Sequence, residues 1–173
     1  MFLNKRKIFL LISISLIFFF LTYNDVKSNE VNIISGPAIV TDGDTIKVNG
    51  KKIRFSGIDT PESNFRDKKQ QCTFEKVKVY CGYWSKIVLT EKISNNDVSC
   101  IKEDKPDQYN RILAECFVND ESLSKYLVRS GYAFAFRRYS KKFIEDEEFA
   151  KTNKLGLWQT EFAFPWDFRK NSK

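Results

Sequence analysis

Val40-Thr-Asp-Gly-Asp44-Thr-Ile-Lys-Val48-Asn-Gly-Lys-Lys-Ile-Arg54-Phe-Ser-Gly-Ile-Asp59-Thr-Pro-Glu62 is the stretch on which the reading of the fold turns. Asp44 to Val48 and Lys51 to Ile58 are short runs rich in β-branched and aromatic residues, and Asn49-Gly50 between them is a strong signal for a two-residue hairpin turn. That turn sets Val48 opposite Lys51, Ile46 opposite Ile53 and Thr45 opposite Arg54. Because side chains alternate along a strand, Ile46, Val48, Ile53 and Phe55 then share one face and Arg54 points away from them. Asp44 falls at the open end of the hairpin, and Asp59 and Glu62 follow its second strand. An ordinary hairpin has no need of that arrangement.

The motif Asp-Gly-Asp44-Thr, then Ile-Arg54-Phe, then Ile-Asp59-Thr-Pro-Glu62, and later Asp107-Gln-Tyr-Asn-Arg111, resembles the staphylococcal-nuclease-like (thermonuclease) family. Asp-Gly-Asp alone occurs in many turns; the ordered set is far more specific. The resemblance runs from about Ile34 to Arg169.

The chain begins with Lys5-Arg6-Lys7 and then 14 uncharged, mostly apolar residues, Ile8 to Leu21. A basic start followed by so short an apolar run fits a secretory signal peptide better than a membrane span, which needs about 20 residues. Residues 1–28 are therefore expected to be removed on export, with an uncleaved anchor through residues 8–21 as the alternative. Residues 29–173 form one expected domain, long enough to bury a core of its own. The leader carries a net +3 (Lys5, Arg6, Lys7 and Lys27 against Asp25), which leaves +4 of the formal +7 on the remainder. So mild a charge by itself says little about nucleic acid. Its distribution says slightly more: between Ser122 and Ile144 there are six basic residues (Lys125, Arg129, Arg137, Arg138, Lys141, Lys142), no acid, and Tyr126, Tyr132 and Tyr139 interleaved. Two readings stand, a groove for a phosphate backbone or a solvated helix face.

Histidine is absent from the sequence. That excludes histidine bases, Ser-His-Asp and Cys-His nucleophiles, and histidine-ligated zinc. Hydrolytic chemistry must then rest on carboxylates, arginines or a metal ion. The four cysteines are Cys72, Cys81, Cys100 and Cys116. An even count in an exported chain favours two disulfides, with three pairings open. The natural one joins Cys72 to Cys81 around a short excursion and Cys100 to Cys116 across two expected strands. Exported members of the family often carry cysteines at similar places. The zinc alternative lacks a Cys-x-x-Cys knuckle.

Ser35 to Val40 reads as a first strand, and the hairpin supplies two more. Ser63 to Tyr80, polar and lysine-rich, reads as a surface loop. A helix is expected over Tyr83 to Ile93 with Trp84, Ile87 and Val88 on its covered side. Val98 to Ile101 and Arg111 to Val118 read as strands. A second helix carries Leu123, Tyr126 and Leu127 and ends at Gly131, and a third starts after Ser140 as N-cap and stops near Gly156. Strand periodicity alone supports a small α+β domain; the resemblance implies a five-stranded OB-fold barrel with about three helices. The aromatic tail from Trp158 to Trp166 and Arg169 is similar to the family's closing segment, and reads as packing rather than base stacking.

Carried over position by position, the resemblance implies that Asp44, Asp59 and the Thr60 carbonyl hold a calcium ion, a hard cation suited to oxygen ligands. It implies that Arg54 and Arg111 bind phosphate, which the planar guanidinium fork suits, and that Glu62 orients or deprotonates the attacking water. Tyr109 and Tyr139 are weaker candidates for substrate contacts. The plainer alternatives are Asp42 and Asp44 as turn residues and Arg54 with Glu62 as a surface ion pair. Three departures from the family pattern are the short hairpin between Asp44 and Arg54, Asn110, where a glycine is usual, and Gln108, where a basic residue sometimes stands. The implied activity is an exported, calcium-dependent nuclease acting on DNA and RNA and leaving 3′-phosphate ends. The rival from another class is a silent OB-fold module that binds single-stranded nucleic acid or protein.

Overall fold

In the computed structural model, residues 32–172 are described. The expected leader, and with it the question of its removal or of an anchor through residues 8–21, lies outside them. Among the described residues, no helix is long and apolar enough to cross a membrane.

The chain runs β1 (Ile33–Gly36), β2 (Ala38–Asp42), β3 (Thr45–Val48), β4 (Lys51–Phe55), β5 (Ile58–Asp59), β6 (Gln71–Phe74), β7 (Val77–Tyr80), α1 (Cys81–Ile93), β8 (Val98–Lys102), β9 (Ile112–Val118), β10 (Glu121–Ser122), α2 (Leu123–Arg129), β11 (Phe134–Ala135), α3 (Ile144–Thr152), a 3₁₀ turn (Gly156–Gln159) and α4 (Pro165–Asn171). The β3–β4 hairpin has the expected register, with Thr45 opposite Arg54 and Ile46 opposite Ile53. Asn49 and Gly50 both take positive φ (49° and 75°), as a two-residue hairpin turn requires.

The main sheet has the order β1-β8-β9-β4-β3-β2, with β10 added to β9. β4 and β9 run parallel and place Arg54 beside Leu113; the other neighbours are antiparallel. The expected single first strand is two. Gly36, at φ 142°, and Pro37, which has no N–H to give to a ladder, break it. The halves pair at opposite ends of the order, β1 with β8 and β2 with β3. The barrel is therefore not closed by hydrogen bonds: its first and last strands are joined through Gly36–Pro37. The architecture is α+β, as expected, with a fourth short helix beyond the three read from the sequence.

Ile46, Val48, Ile53, Phe55, Val98, Ala114 and Cys116 fill the core from the sheet, and Leu89, Ile93, Leu123 and Leu127 from the helices. A second cluster gathers Cys72, Cys81, Phe134 and Leu157 with Trp158, Phe162, Phe164 and Trp166. The closing aromatics pack as expected: Phe134 is fully buried, and Trp166 stacks on Phe164 and Phe136.

Three local expectations fail for identifiable reasons. α1 buries Cys81, Ser85, Leu89 and Ile93, one residue per turn, and leaves Ile87 exposed. Trp84 and Val88 are half-buried against the two clusters, as expected, while Ser85 goes inside because its hydroxyl donates to the Tyr132 carbonyl (2.6 Å). Ser140 does not cap the third helix; its hydroxyl accepts from the Lys142 N–H in the preceding turn, and α3 starts at Ile144 and ends at Thr152, short of Gly156. The stretch 63–80 is no plain loop. It contains the β6–β7 hairpin, tied to α1 by the Cys72–Cys81 disulfide. The second disulfide joins Cys100 to Cys116 across β8 and β9, so both expected pairs form and the zinc alternative falls away.

Candidate active site

Asp42-Gly43-Asp44 makes the turn between β2 and β3. The Asp42 carboxylate accepts the Gly43 N–H (2.8 Å), a turn role, whereas Asp44 is turned inward and buried. A Cβ on Gly43 would lie 2.7 Å from Ser85 and 2.8 Å from the Thr60 hydroxyl, so only glycine lets this turn press so closely on α1 and on the loop after β5. Asp44 Oδ2 accepts from the Thr60 N–H (3.1 Å) and hydroxyl (3.0 Å); Oδ1 accepts from the Thr45 hydroxyl (3.0 Å).

Arg54, across the hairpin from Thr45, sends one guanidinium nitrogen to Asp44 and the other to Asp59 Oδ1 (2.6 Å). Asp59 is fully buried on β5, where β11 pairs with it through Phe134. Its oxygens also receive Arg169 of α4, Nη2 to Oδ2 at 2.6 Å and Nη1 to Oδ1 at 3.1 Å; Nη1 also meets Glu62 Oε1 at 2.5 Å. The alternative of an Arg54–Glu62 surface pair is thus not what forms.

Glu62 is held through its backbone. Its N–H donates to the Gln70 side chain (3.1 Å), its carbonyl accepts the Gln70 N–H (3.0 Å), and Gln70 Nε2 donates to the Ala163 carbonyl (2.7 Å). Gly82 packs against the same backbone, where an added Cβ would lie 2.4 Å from the Glu62 carbonyl.

The cluster holds three carboxylates and two guanidiniums. Burial raises the Asp44 carboxyl above its usual range, against the pull of Arg54, and Asp59 and Asp42 add to the rise. Burial likewise pushes Glu62 up to about 7, against the hydrogen bond and charge of Arg169. Burial opposes the charge of both arginines, yet Asp44 and Asp59 around Arg54, and Asp59 and Glu62 around Arg169, outweigh it and keep both protonated. Such a pocket of buried oxygen donors, short of positive charge, suits a hard divalent cation. Asp44, Asp59 and the Thr60 carbonyl would hold it. Among the described residues there is no cage of three or more acid, histidine or cysteine side chains, so backbone and water oxygens would complete the shell.

Arg111 is not part of this cluster. It stands just before β9, with Nε and Nη2 both 2.6 Å from Asp107 Oδ2. Asp107 Oδ1 also accepts the N–H groups of Tyr109 (2.9 Å) and Arg111 (2.8 Å), so one carboxylate ties the whole turn. These bonds hold Asp107 below the usual carboxylate range even against its desolvation. Asn110 takes φ 59°, the left-handed backbone that a glycine would adopt freely. Tyr109 is 71% exposed beneath the Arg111 guanidinium, and Tyr139 is 65% exposed against Phe136. Half of the basic stretch is neutralised by acids outside it: Arg129 pairs with Asp146, Arg137 with Glu147 and Glu148, and Lys142 with Glu115. That favours the solvated face over a phosphate groove.

The family model for staphylococcal nuclease homologues matches residues 52–160. The chain belongs to that family. Among its relatives is an endonuclease of Bacillus subtilis (strain 168), YncB, 33% identical over 138 residues, covering 74% of this chain and 62% of the relative. An uncharacterized endonuclease of Haemophilus influenzae is 29% identical over 161 residues, covering 89% of this chain and 79% of its own. The staphylococcal-like nuclease CAN1 of Arabidopsis thaliana is 26% identical over 125 residues, covering 70% of this chain and 34% of that one. Nuclease activity is thus a property of the family. The matched span includes Arg54, Asp59, Thr60, Glu62 and Arg111, and leaves Asp44 and Arg169 outside it. Arg169, Gln70, Gly82 and Asp107 are supporting residues to which sequence reasoning assigned no role. An Asp four residues before an arginine in a Tyr-Asn turn was the one available signal.

Proposed function

We propose that this chain is an exported, calcium-dependent nuclease that hydrolyses phosphodiester bonds in DNA and RNA and leaves 3′-phosphate ends. The observation that carries the proposal is Arg54 bridging Asp44 and Asp59 in one buried cluster, with Glu62 joined to it through Arg169. A phosphodiester is an anion, so attack by water needs its charge offset and the transition state held. A bound calcium ion supplies charge neutralisation at the phosphate oxygens. Arg54 donates to a phosphate oxygen from its place between the two ligands, and Arg111, held by Asp107, donates from the turn before β9. Glu62, its backbone locked by Gln70, orients the attacking water and accepts its proton. Tyr109 and Tyr139 offer exposed rings for substrate contact.

Export is supported by two disulfides, which persist in oxidising compartments. The test is purified protein on end-labelled single-stranded DNA and RNA with calcium, followed by assignment of the product termini. Cleavage with 3′-phosphate ends is expected. Binding without cleavage would instead favour the silent OB-fold module.

A further inference from the structure

The catalytic motif ends near Arg111, yet the acid cluster is finished by a residue nearly sixty positions later. α4 starts with Pro165 at its first turn, where a missing N–H costs nothing, and Trp166 is stacked between Phe164 and Phe136. This anchors a short helix whose next turn carries Arg169 onto Asp59 and Glu62. Both oxygens of Asp59 are met by its fork, and one of the two nitrogens is shared with Glu62. The same closing segment reaches Glu62 by a second route, since Gln70 binds the Glu62 backbone on one side and the Ala163 carbonyl on the other.

We infer that Arg169 is a positioning residue for the reaction: from α4 it holds the water-orienting Glu62 and the cation ligand Asp59 at a fixed spacing. It touches neither water nor phosphate in this account; it acts through the two carboxylates. The geometry requires an arginine. A planar fork spans two carboxylates at once, while an ammonium on a flexible stem serves one at a time. Its positive charge also opposes a cation at Asp59. Removing it should therefore harm turnover while easing cation binding, a pairing that loss of packing does not produce.

The inference rests on the nuclease reading for its kinetic arm only. The experiment compares wild type with Arg169→Ala and Arg169→Lys, and with Lys92→Ala, which removes the remote Lys92–Glu121 pair. Four quantities are read: kcat, KM, calcium affinity by calorimetry, and Tm in chelator. For Arg169→Ala, kcat should fall on the order of 10²-fold with KM little changed, as expected for misplaced catalytic groups. Calcium should bind about tenfold more tightly, and Tm in chelator should fall, because Asp59 and Glu62 lose their partner. Arg169→Lys should restore Tm in part and leave most of the kcat defect. Lys92→Ala should leave all four near wild type. Unchanged kcat in Arg169→Ala would overturn the inference, and so would calcium affinity falling together with kcat and Tm. If wild type does not cleave at all, the nuclease reading fails separately. Calcium affinity and Tm in chelator then still decide whether Arg169 holds the two acids: unchanged values for both would overturn that contact.

Discussion

Replacing Asn110 tests how the second arginine is aimed. Asn110 sits at φ 59° between Tyr109, whose N–H is bound by Asp107, and Arg111, whose N–H and guanidinium are bound by the same carboxylate. Asparagine tolerates this backbone, glycine adopts it freely, and a β-branched residue does not. Asn110→Gly should therefore fold and cleave much like wild type. Asn110→Val forces a left-handed backbone on a residue for which it costs about 1–2 kcal/mol. For a domain of this size that corresponds to a Tm loss of roughly 3–8 °C. The alternative is for the turn to relax, which breaks the Asp107 bonds and swings Arg111. A displacement near 1 Å can cost on the order of 10²-fold in rate. The assay is thermal unfolding together with single-turnover cleavage at saturating calcium for both variants. A valine variant equal to wild type in both would refute the account of this turn.

Three other outcomes follow from the same geometry. Arg54→Ala leaves Asp44 and Asp59 without their bridge and should lower kcat by roughly 10²–10³-fold, read by steady-state kinetics at saturating calcium. Gly82→Ala puts a methyl 2.4 Å from the Glu62 carbonyl, so the loop must shift; turnover should fall by at least about tenfold while calcium affinity, measured by calorimetry, holds. Replacing Cys100 and Cys116 together by alanine should cost about 3 kcal/mol in chemical unfolding, a value set by the chain-entropy model for a separation of 16 residues.

The parts legible in the sequence are those where local chemistry and tertiary fold agree. Asn49-Gly50 announced its turn, and strand alternation then placed Arg54 on the side of the acids. Asn110 announced its backbone because few other residues tolerate positive φ. The β6–β7 hairpin gave no such sign. Its turn uses Glu75 and Lys76, both at positive φ (48° and 69°), where glycine or asparagine would be usual, so it read as loop. Gln70 is buried there for the sake of its hydrogen bonds to Glu62 and Ala163, which exist only after the closing segment docks. α4 is seven residues long and dense in aromatics, so its periodicity is too brief to tell a helix from a packed tail. Arg169 was visible in that tail, but its role depends on contacts more than a hundred residues away in sequence. Such contacts leave no local pattern.

On the proposed mechanism, a cation held by Asp44 and Asp59 makes the cluster a phosphodiesterase. The most direct measurement is turnover on labelled single-stranded DNA against calcium concentration, for wild type, Asp44→Asn and Asp59→Asn, with a chelator as the zero point. Almost no cleavage is expected in chelator, with saturable cleavage in calcium and a higher calcium requirement for both variants. Wild-type turnover in chelator, or calcium curves that superimpose for all three proteins, would contradict it.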